Sequence, residues 1–411
     1  MIVHRHRPPA GSCGLRGMWV SRGVKAASLP APAVSLGTLD VSEAAVSTPS
    51  FQIWVRSGWG KGHLHGSLAG APWRNFPLER VASSGKWLQC TLAAPSPTCQ
   101  LEFVLTDGDH AWDKPATGGN YQAVGPGAYV VRGGQLSAVT GPAVMVVSDL
   151  DGTMVGDDSA TAAFRQWWEE QALPRGCVLV YNTGRSLDSF KALLRDKAHC
   201  LAPPDALISA VGTKVYLNKG GSWVEDGSWE AQLEQGWRLE VVREACYSAL
   251  AQVGKESMHF RPPDEQNKHK VTCGVAVSAL ARVLASLQQS LSGQGVRANI
   301  ITSGHGDWKF VDLVPERAGK LQALEYVRRH FGFPVHAAVA CGDSGNDILM
   351  LQGANPAIVV GNSQPDLLVW LKQRRAEEVP GAGPGGKERL FLAPQHEALS
   401  ILAGLEYWGY K

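Results

Sequence analysis

The stretch Ala143-Val144-Met145-Val146-Val147-Ser148-Asp149-Leu150-Asp151-Gly152-Thr153 decides how the chain is read. Its apolar opening has the length of a fully buried strand. It runs into carboxylates at i and i+2, which project on one side of an extended chain. Gly152 then lets the chain turn away sharply. Downstream the texture alternates. Helical spacing at 161–173, 187–197, 319–329, 347–351 and 365–374 is interleaved with strand-like runs at 177–181, 206–209, 337–340 and 357–360. Strand–helix alternation predicts a parallel sheet with helices on both faces. Ligands of such sheets sit beyond the carboxyl ends of the strands.

The words that follow the strands are therefore the informative ones. After 178–181 comes Asn182-Thr183-Gly184-Arg185, whose hydroxyl and amides suit an anion. Lys320 opens a helix. After 337–340 comes Cys341-Gly342-Asp343-Ser344-Gly345-Asn346-Asp347, with carboxylates at i and i+4 around a glycine turn. Taken singly, such an Asp is commonly a cap or turn residue. Together, Asp149, Asp151, Asp343 and Asp347 in one crevice would repel one another unless a cation neutralised them. An all-oxygen donor set points to Mg2+. Thr183 and Lys320 suit a phosphoryl group. Between 216 and 308 the pattern turns hairpin-like, with helices expected at 230–253 and 277–291 and strands at 258–261, 270–276 and 296–302.

Residues 51–140 differ. Short strand-like runs at 51–55, 87–92, 101–105 and 129–132 lie between Gly/Pro turns, which predicts a small β-sandwich. Trp59, Trp73, Trp112 and Tyr121 sit beside Gly, Pro, Asn and Asp rather than in apolar runs. Flat aromatic faces next to polar groups suit sugars; packing in turns would account for each of them singly. Residues 1–39 hold no Asp or Glu but carry Arg5, Arg7, Arg16, Arg22 and Lys25. An acid-free, Arg-bearing, Ser/Ala-rich start is expected to be an organelle transit peptide, with residues 1–50 disordered or removed.

The composition narrows the function classes. The 39 basic and 37 acidic residues nearly cancel, which speaks against a nucleic-acid partner bound through phosphates. No apolar run reaches the ~18 residues of a membrane span, so no membrane partner is expected. The 8 cysteines are scattered singly and read as reduced thiols.

Two resemblances sharpen this reading. The words at 148–157, 182–186, 210–213, 341–347, 358–362 and 364–368 resemble the haloacid-dehalogenase superfamily and, within it, the sucrose-phosphate phosphatases. The resemblance implies a Rossmann-like parallel-sheet core (143–215 and 309–411) with an inserted α+β cap (216–308). It implies Asp149 as nucleophile, Asp151 as acid/base, and Thr183 and Lys320 as phosphate-site residues. Mg2+ would be held by Asp149, Asp151, Asp343 and Asp347. Gly184, Arg185, Asn267, Lys270 and Asn346 would contact a sugar phosphate, sucrose 6-phosphate first. The family's glycine after the catalytic lysine is Leu321 here, and the lead-in Asp307-Trp308-Lys309-Phe310 is bulkier than the family's.

The second resemblance covers about ninety residues. Gly58-Trp59, His65, Trp73, the word at 101–108, Trp112-Asp113 and Gly119-Asn120-Tyr121 look like a starch-binding module of the starch synthase III and bacterial amylase type. It implies a sugar platform of His65, Trp73 and Trp112, starch or another α-glucan as partner, and a chloroplast location; a cytoplasmic one is the alternative. Lys114-Pro115 replaces the asparagine usual after Trp-Asp. Two other functions stay open: hydrolysis of a different sugar phosphate, or a starch-binding regulator with an idle phosphatase fold.

Overall fold

A computed structural model of the chain describes residues 49–81, 87–304 and 306–411. The transit-peptide expectation falls almost wholly on residues outside these. The first strands are β1 (Ser50–Arg56), β2 (Gly62–Leu68), β3 (Arg74–Arg80), β4 (Trp87–Ala93), β5 (Gln100–Thr106), β6 (Trp112–Asp113), β7 (Tyr121–Val124), β8 (Gly127–Arg132) and β9 (Gln135–Ala138). They form one path, β6-β5-β2-β3-β4-β1-β8-β9, with β7 on β5. The expected sandwich is thus a single curled sheet, continuous through β3. The first part of β3 pairs with β2, and Glu79 and Arg80 pair with β4. The curl gives both halves one core, with Phe51, Ile53 and Val55 meeting Leu64, Phe103 and Tyr121. These positions alternate along their strands, as one-sided burial requires.

The next segment contains β10 (Met145–Ser148), α1 (Asp158–Trp167), β11 (Val178–Asn182), α2 (Leu187–Asp196), β12 (Ala206–Ser209), β13 (Lys214–Lys219), β14 (Ser222–Glu225) and α3 (Gly227–Leu233). Then come α4 (Leu239–Val253), β15 (Met258–Phe260), β16 (Val271–Ala276), α5 (Val277–Gly293), β17 (Ala298–Ser303) and β18 (Trp308–Pro315). The chain closes with α6 (Lys320–His330), β19 (Ala338–Gly342), α7 (Ile348–Leu351), β20 (Ala357–Val359), α8 (Pro365–Arg375), β21 (Leu390–Leu392) and α9 (Glu397–Tyr407).

The large sheet runs β14-β13-β12-β11-β10-β19-β20-β21. From β12 to β21 every pairing is parallel; β13 and β14 are antiparallel additions. Both faces are apolar, as a helix-covered parallel sheet demands. Val146, Leu179 and Val339 face α1, α2 and α9, while Val147, Val180 and Ala340 face α6, α7 and α8. A second, antiparallel sheet, β15-β16-β18-β17, packs one face on α4 and α5. Its core gathers Val242 and Cys246 of α4 with Val271, Cys273 and Val275 of β16 and Leu313 of β18.

Two sequence expectations are corrected here. The helix expected at 230–253 is two helices, α3 and α4, parted at Gly236, whose φ of 78° ends the first. The cap boundaries at 216 and 308 also move. The β13–β14 hairpin and α3 belong with the large sheet and its core, whereas β18 lies wholly in the second sheet. The separately cored insertion therefore runs from α4 to β18.

The curled sheet and the large one meet at an irregular turn. After α1 the chain forms a π-type turn, Trp168–Ala172, in place of the helix expected to run on to 173. In such a turn the Glu169 carbonyl would accept from residue 174, which is Pro174 and has no N–H. The indole N–H of Trp87 on β4 donates to it instead, at 2.6 Å. Arg56 and Arg132 both reach Glu170 Oε1, at 3.0 and 3.1 Å.

Candidate active site

Asp149 stands at the carboxyl end of β10, its main-chain N–H donating to the Cys341 carbonyl on the neighbouring β19. Lys320, the first residue of α6, is buried beneath it. Its ammonium donates to Asp149 Oδ1 at 2.7 Å, Asp347 Oδ1 at 2.6 Å and Asn346 Oδ1 at 3.2 Å. All three of its protons are thereby engaged. The other oxygen of Asp347 accepts the main-chain N–H groups of Asp343 and Ser344. Asp343 accepts from the Thr153 hydroxyl and the Gln364 amide.

Two glycines allow this crowding. A Cβ on Gly342 would lie 2.5 Å from the Asp347 side chain, and one on Gly152, at φ +78°, would lie 2.8 Å from Asp343 Oδ2. Gly152 is needed both for its backbone conformation and for the room it leaves.

Asp149, Asp343 and Asp347 each bring an oxygen within 4.8 Å of the others, all from buried side chains. Burial, then repulsion from Asp347 and Asp343, pushes the Asp149 carboxyl up to about 8 although Lys320 opposes it. Burial and Asp347 push Asp343 up to about 6. Burial alone would depress the Lys320 ammonium, but Asp149 and Asp347 outweigh it and hold it above the usual lysine range. Three carboxylates facing one ammonium leave an excess of negative charge. Hard oxygen donors with that excess fit a divalent cation such as Mg2+.

Asp151 is not part of this group. Gly152 turns the chain, and Asp151 pairs with Val155 in a short bridge. Its carboxylate instead takes a two-pronged contact from Arg185, Nε to Oδ2 at 2.8 Å and Nη2 to Oδ1 at 2.6 Å. Of the four carboxylates expected together, Asp149, Asp343 and Asp347 gather within reach of one cation, and Asp151 stands beside them. Arg185, expected on the substrate, is engaged by that carboxylate and by Ser189.

Thr183 is buried and accepts the Arg185 main-chain N–H on its hydroxyl. Gly184 and Asn346 face the same cavity of about 870 Å³, as do Asp149, Asp151, Asp343 and Thr183. The opposite wall comes from the insertion. Asn267 donates to Thr213 at 3.0 Å, and the buried Lys270 lies 3.4 Å from Asp312. Asp312, which also accepts from Thr272 at 2.7 Å, was not singled out in the sequence. The signal was available: it is a lone acid inside the apolar run Val311–Val314.

On the curled sheet, His65 lies between two exposed indoles. Its ring centroid is 5.3 Å from that of Trp73 and 5.9 Å from that of Trp112. Asn75 orients the imidazole through Nδ1 at 2.6 Å. Residues well apart in sequence are thus gathered on one surface.

The α/β fold with its inserted second sheet defines the class: the haloacid-dehalogenase type. Residues 142–409 match the family described as Sucrose-6F-phosphate phosphohydrolase, and the chain belongs to that family. It is 34% identical over 238 residues to probable sucrose-phosphatase 2 of Arabidopsis thaliana, an alignment covering 56% of this chain and 53% of that relative. It is 28% identical over 272 residues to the mannosylfructose-phosphate phosphatase of Agrobacterium fabrum, covering 65% of this chain and 98% of that one. The sucrose-phosphatase of Synechocystis, solved with sucrose and phosphate, superposes with a TM-score of 0.54 at 29% identity, covering 65% of this chain and 98% of that chain. The chain spans about half the length of the plant sucrose-phosphatases it matches.

Proposed function

We propose that this protein is a Mg2+-dependent phosphatase of a sugar phosphate, with sucrose 6-phosphate as its first candidate and sucrose and phosphate as products. One observation carries the reading: Asp149, Asp343 and Asp347 converge around Lys320 on a cavity whose far wall is Asn267, Lys270 and Asp312. The large parallel sheet then acts as a Rossmann-like core and the insertion as a cap that reads the sugar.

In this reading Asp149 attacks phosphorus, the bond from phosphorus to the sugar oxygen breaks, and an aspartyl phosphate forms. Asp151 gives its proton to the departing oxygen, then takes one from the water that hydrolyses the intermediate. Lys320 steadies the Asp149 carboxylate for in-line approach. The Thr183 hydroxyl, the Gly184 amide and Asn346 hold phosphoryl oxygens. Asp149, Asp343 and Asp347 would hold the cation, which when bound supplies positive charge to the phosphoryl oxygens. The test is phosphate release from a panel of sugar phosphates with and without Mg2+. Turnover retained by Asp149→Asn would overturn the assignment.

A second reading keeps this chemistry and changes the sugar. The mannosylfructose-phosphate phosphatase, which matches along 98% of its length, favours including that disaccharide phosphate in the panel. For the curled sheet we propose starch or α-glucan binding, with His65, Trp73 and Trp112 as the platform; two exposed indoles, each packed against His65, support it. A chloroplast location is proposed from the acid-free, Arg-bearing N-terminal sequence and this module.

A further inference from the structure

The cap sheet has two unlike faces. Met258, Cys273, Val275 and Val311 point to α4 and α5 and are buried. The alternate residues of β18, namely Asp312, Phe310 and Trp308, share the other face. Asp312 is buried at the cavity wall, Phe310 lines the same cavity and is 39% exposed, and Trp308 is 41% exposed. Each step along this row advances about 7 Å.

The aromatic end of the row has a built surround. His259 on β15 lies 5.0 Å from Trp308, ring centroid to centroid, at 55°. Its ring crosses Gly274, where any Cβ would come within 2.6 Å of it. Gly274 has ordinary backbone angles, so the room it leaves for the imidazole is what glycine provides there. Arg261 stands 5.0 Å over the Phe310 ring. A cavity of about 870 Å³ lies near the top of the ~300–1,000 Å³ range of small-ligand sites. It reaches Phe310, which stands one same-face step along β18 from Trp308.

We propose that this open face is an outer sugar subsite. Trp308 and His259 receive a hexose ring beyond those enclosed near Lys270 and Asp312, so that the substrates include phosphorylated oligosaccharides of three or more units. Flat rings edged by the polar atoms of His259 offer a sugar both its stacking surface and hydroxyl partners, while Glu265 holds Nε and Nη2 of Arg261. The inference rests on the sugar-phosphatase reading of the cavity.

The experiment measures binding, by calorimetry with Mg2+, of the 6-phosphates of maltose, maltotriose and maltotetraose. The protein is the full chain carrying Asp149→Asn, with Trp73→Ala and Trp112→Ala to silence the other sugar surface. Affinity is expected to rise about fivefold from the disaccharide to the trisaccharide. Adding Trp308→Ala should bring that ratio to about one, and Trp308→Tyr should restore most of it. Equal affinity along the series overturns the proposal. So does an equal loss for every length in Trp308→Ala, or a dimer in sedimentation that Trp308→Ala dissolves. Failure of the phosphatase reading shows separately, as no phosphate release from any sugar phosphate by the unsubstituted protein.

Discussion

The indole N–H of Trp87 donates to the main-chain carbonyl of Glu169, at a place where a proline five residues on removes the carbonyl's own helical partner. The bond is buried and ties the curled sheet to the turn that follows α1 of the large-sheet layer. Trp87→Phe keeps most of the apolar contact and leaves that carbonyl without the indole. The expected cost is about 0.5–1.5 kcal/mol of unfolding free energy, the net contribution of one hydrogen bond. Chemical denaturation of the full chain measures it, and an unchanged midpoint would contradict the coupling.

Beside it, Glu170 takes contacts from Arg56 and Arg132, and their hydrogen bonds hold its carboxyl below the usual glutamate range. A depressed acid stabilises the fold above its unfolded pKa and loses that contribution as pH falls through its folded value. Wild type and Glu170→Gln should therefore differ near neutrality by at most about 1 kcal/mol, since the cluster is partly exposed. The gap should close on acidification below about pH 4. Thermal unfolding across that window reads it.

The parallel core was legible because its strands are continuous apolar runs, each followed by a polar word at its carboxyl end. Asp149, Asp343 and Asp347 are legible that way, Lys320 as the residue that opens a helix, and the four converge. The partner of Asp151 was not legible, because the turn at Gly152 redirects a side chain that simple alternation would keep beside Asp149. Nor was Asp312, whose role depends on strand register against Thr272. Strands β2, β3, β18 and β21 and helix α9 carry no comparably clear signal. The first two carry His, Gly, Pro and Arg rather than a clean alternation, so tertiary pairing sets them.

Gly152 offers a sharp test of crowding at the site. Gly152→Ala must hold φ near +78° and place a methyl 2.8 Å from Asp343. The strain costs about 1–2 kcal/mol, and displacement of Asp343 should weaken Mg2+ binding. Gly58→Ala, where nothing lies within 4 Å, is the matched control. Isothermal titration with Mg2+ should show weaker binding for the first and wild-type behaviour for the second.

On the curled sheet, Trp73→Ala and Trp112→Ala should each lower retention on starch granules, by about threefold to tenfold, by removing one stacking face. His65→Ala should act through loss of the spacer between the indoles. Co-sedimentation with granules checks all three. Full retention by the triple variant would exclude this surface as the α-glucan platform.

Arg185 grips both oxygens of Asp151, so the proposed acid cannot approach a leaving oxygen unless this fork shifts or delivers it. Arg185→Lys keeps the charge but loses the fixed two-pronged geometry. If Arg185 works through Asp151, the loss should depend on how much help the leaving group needs. A sugar alkoxide is a poor leaving group, and misplacing its acid should lower kcat about 100-fold. p-Nitrophenolate leaves without a proton, so p-nitrophenyl phosphate should lose no more than a few-fold. An equal loss on both substrates would instead make Arg185 a ligand of the phosphoryl group they share, which is the role the sequence alone had suggested.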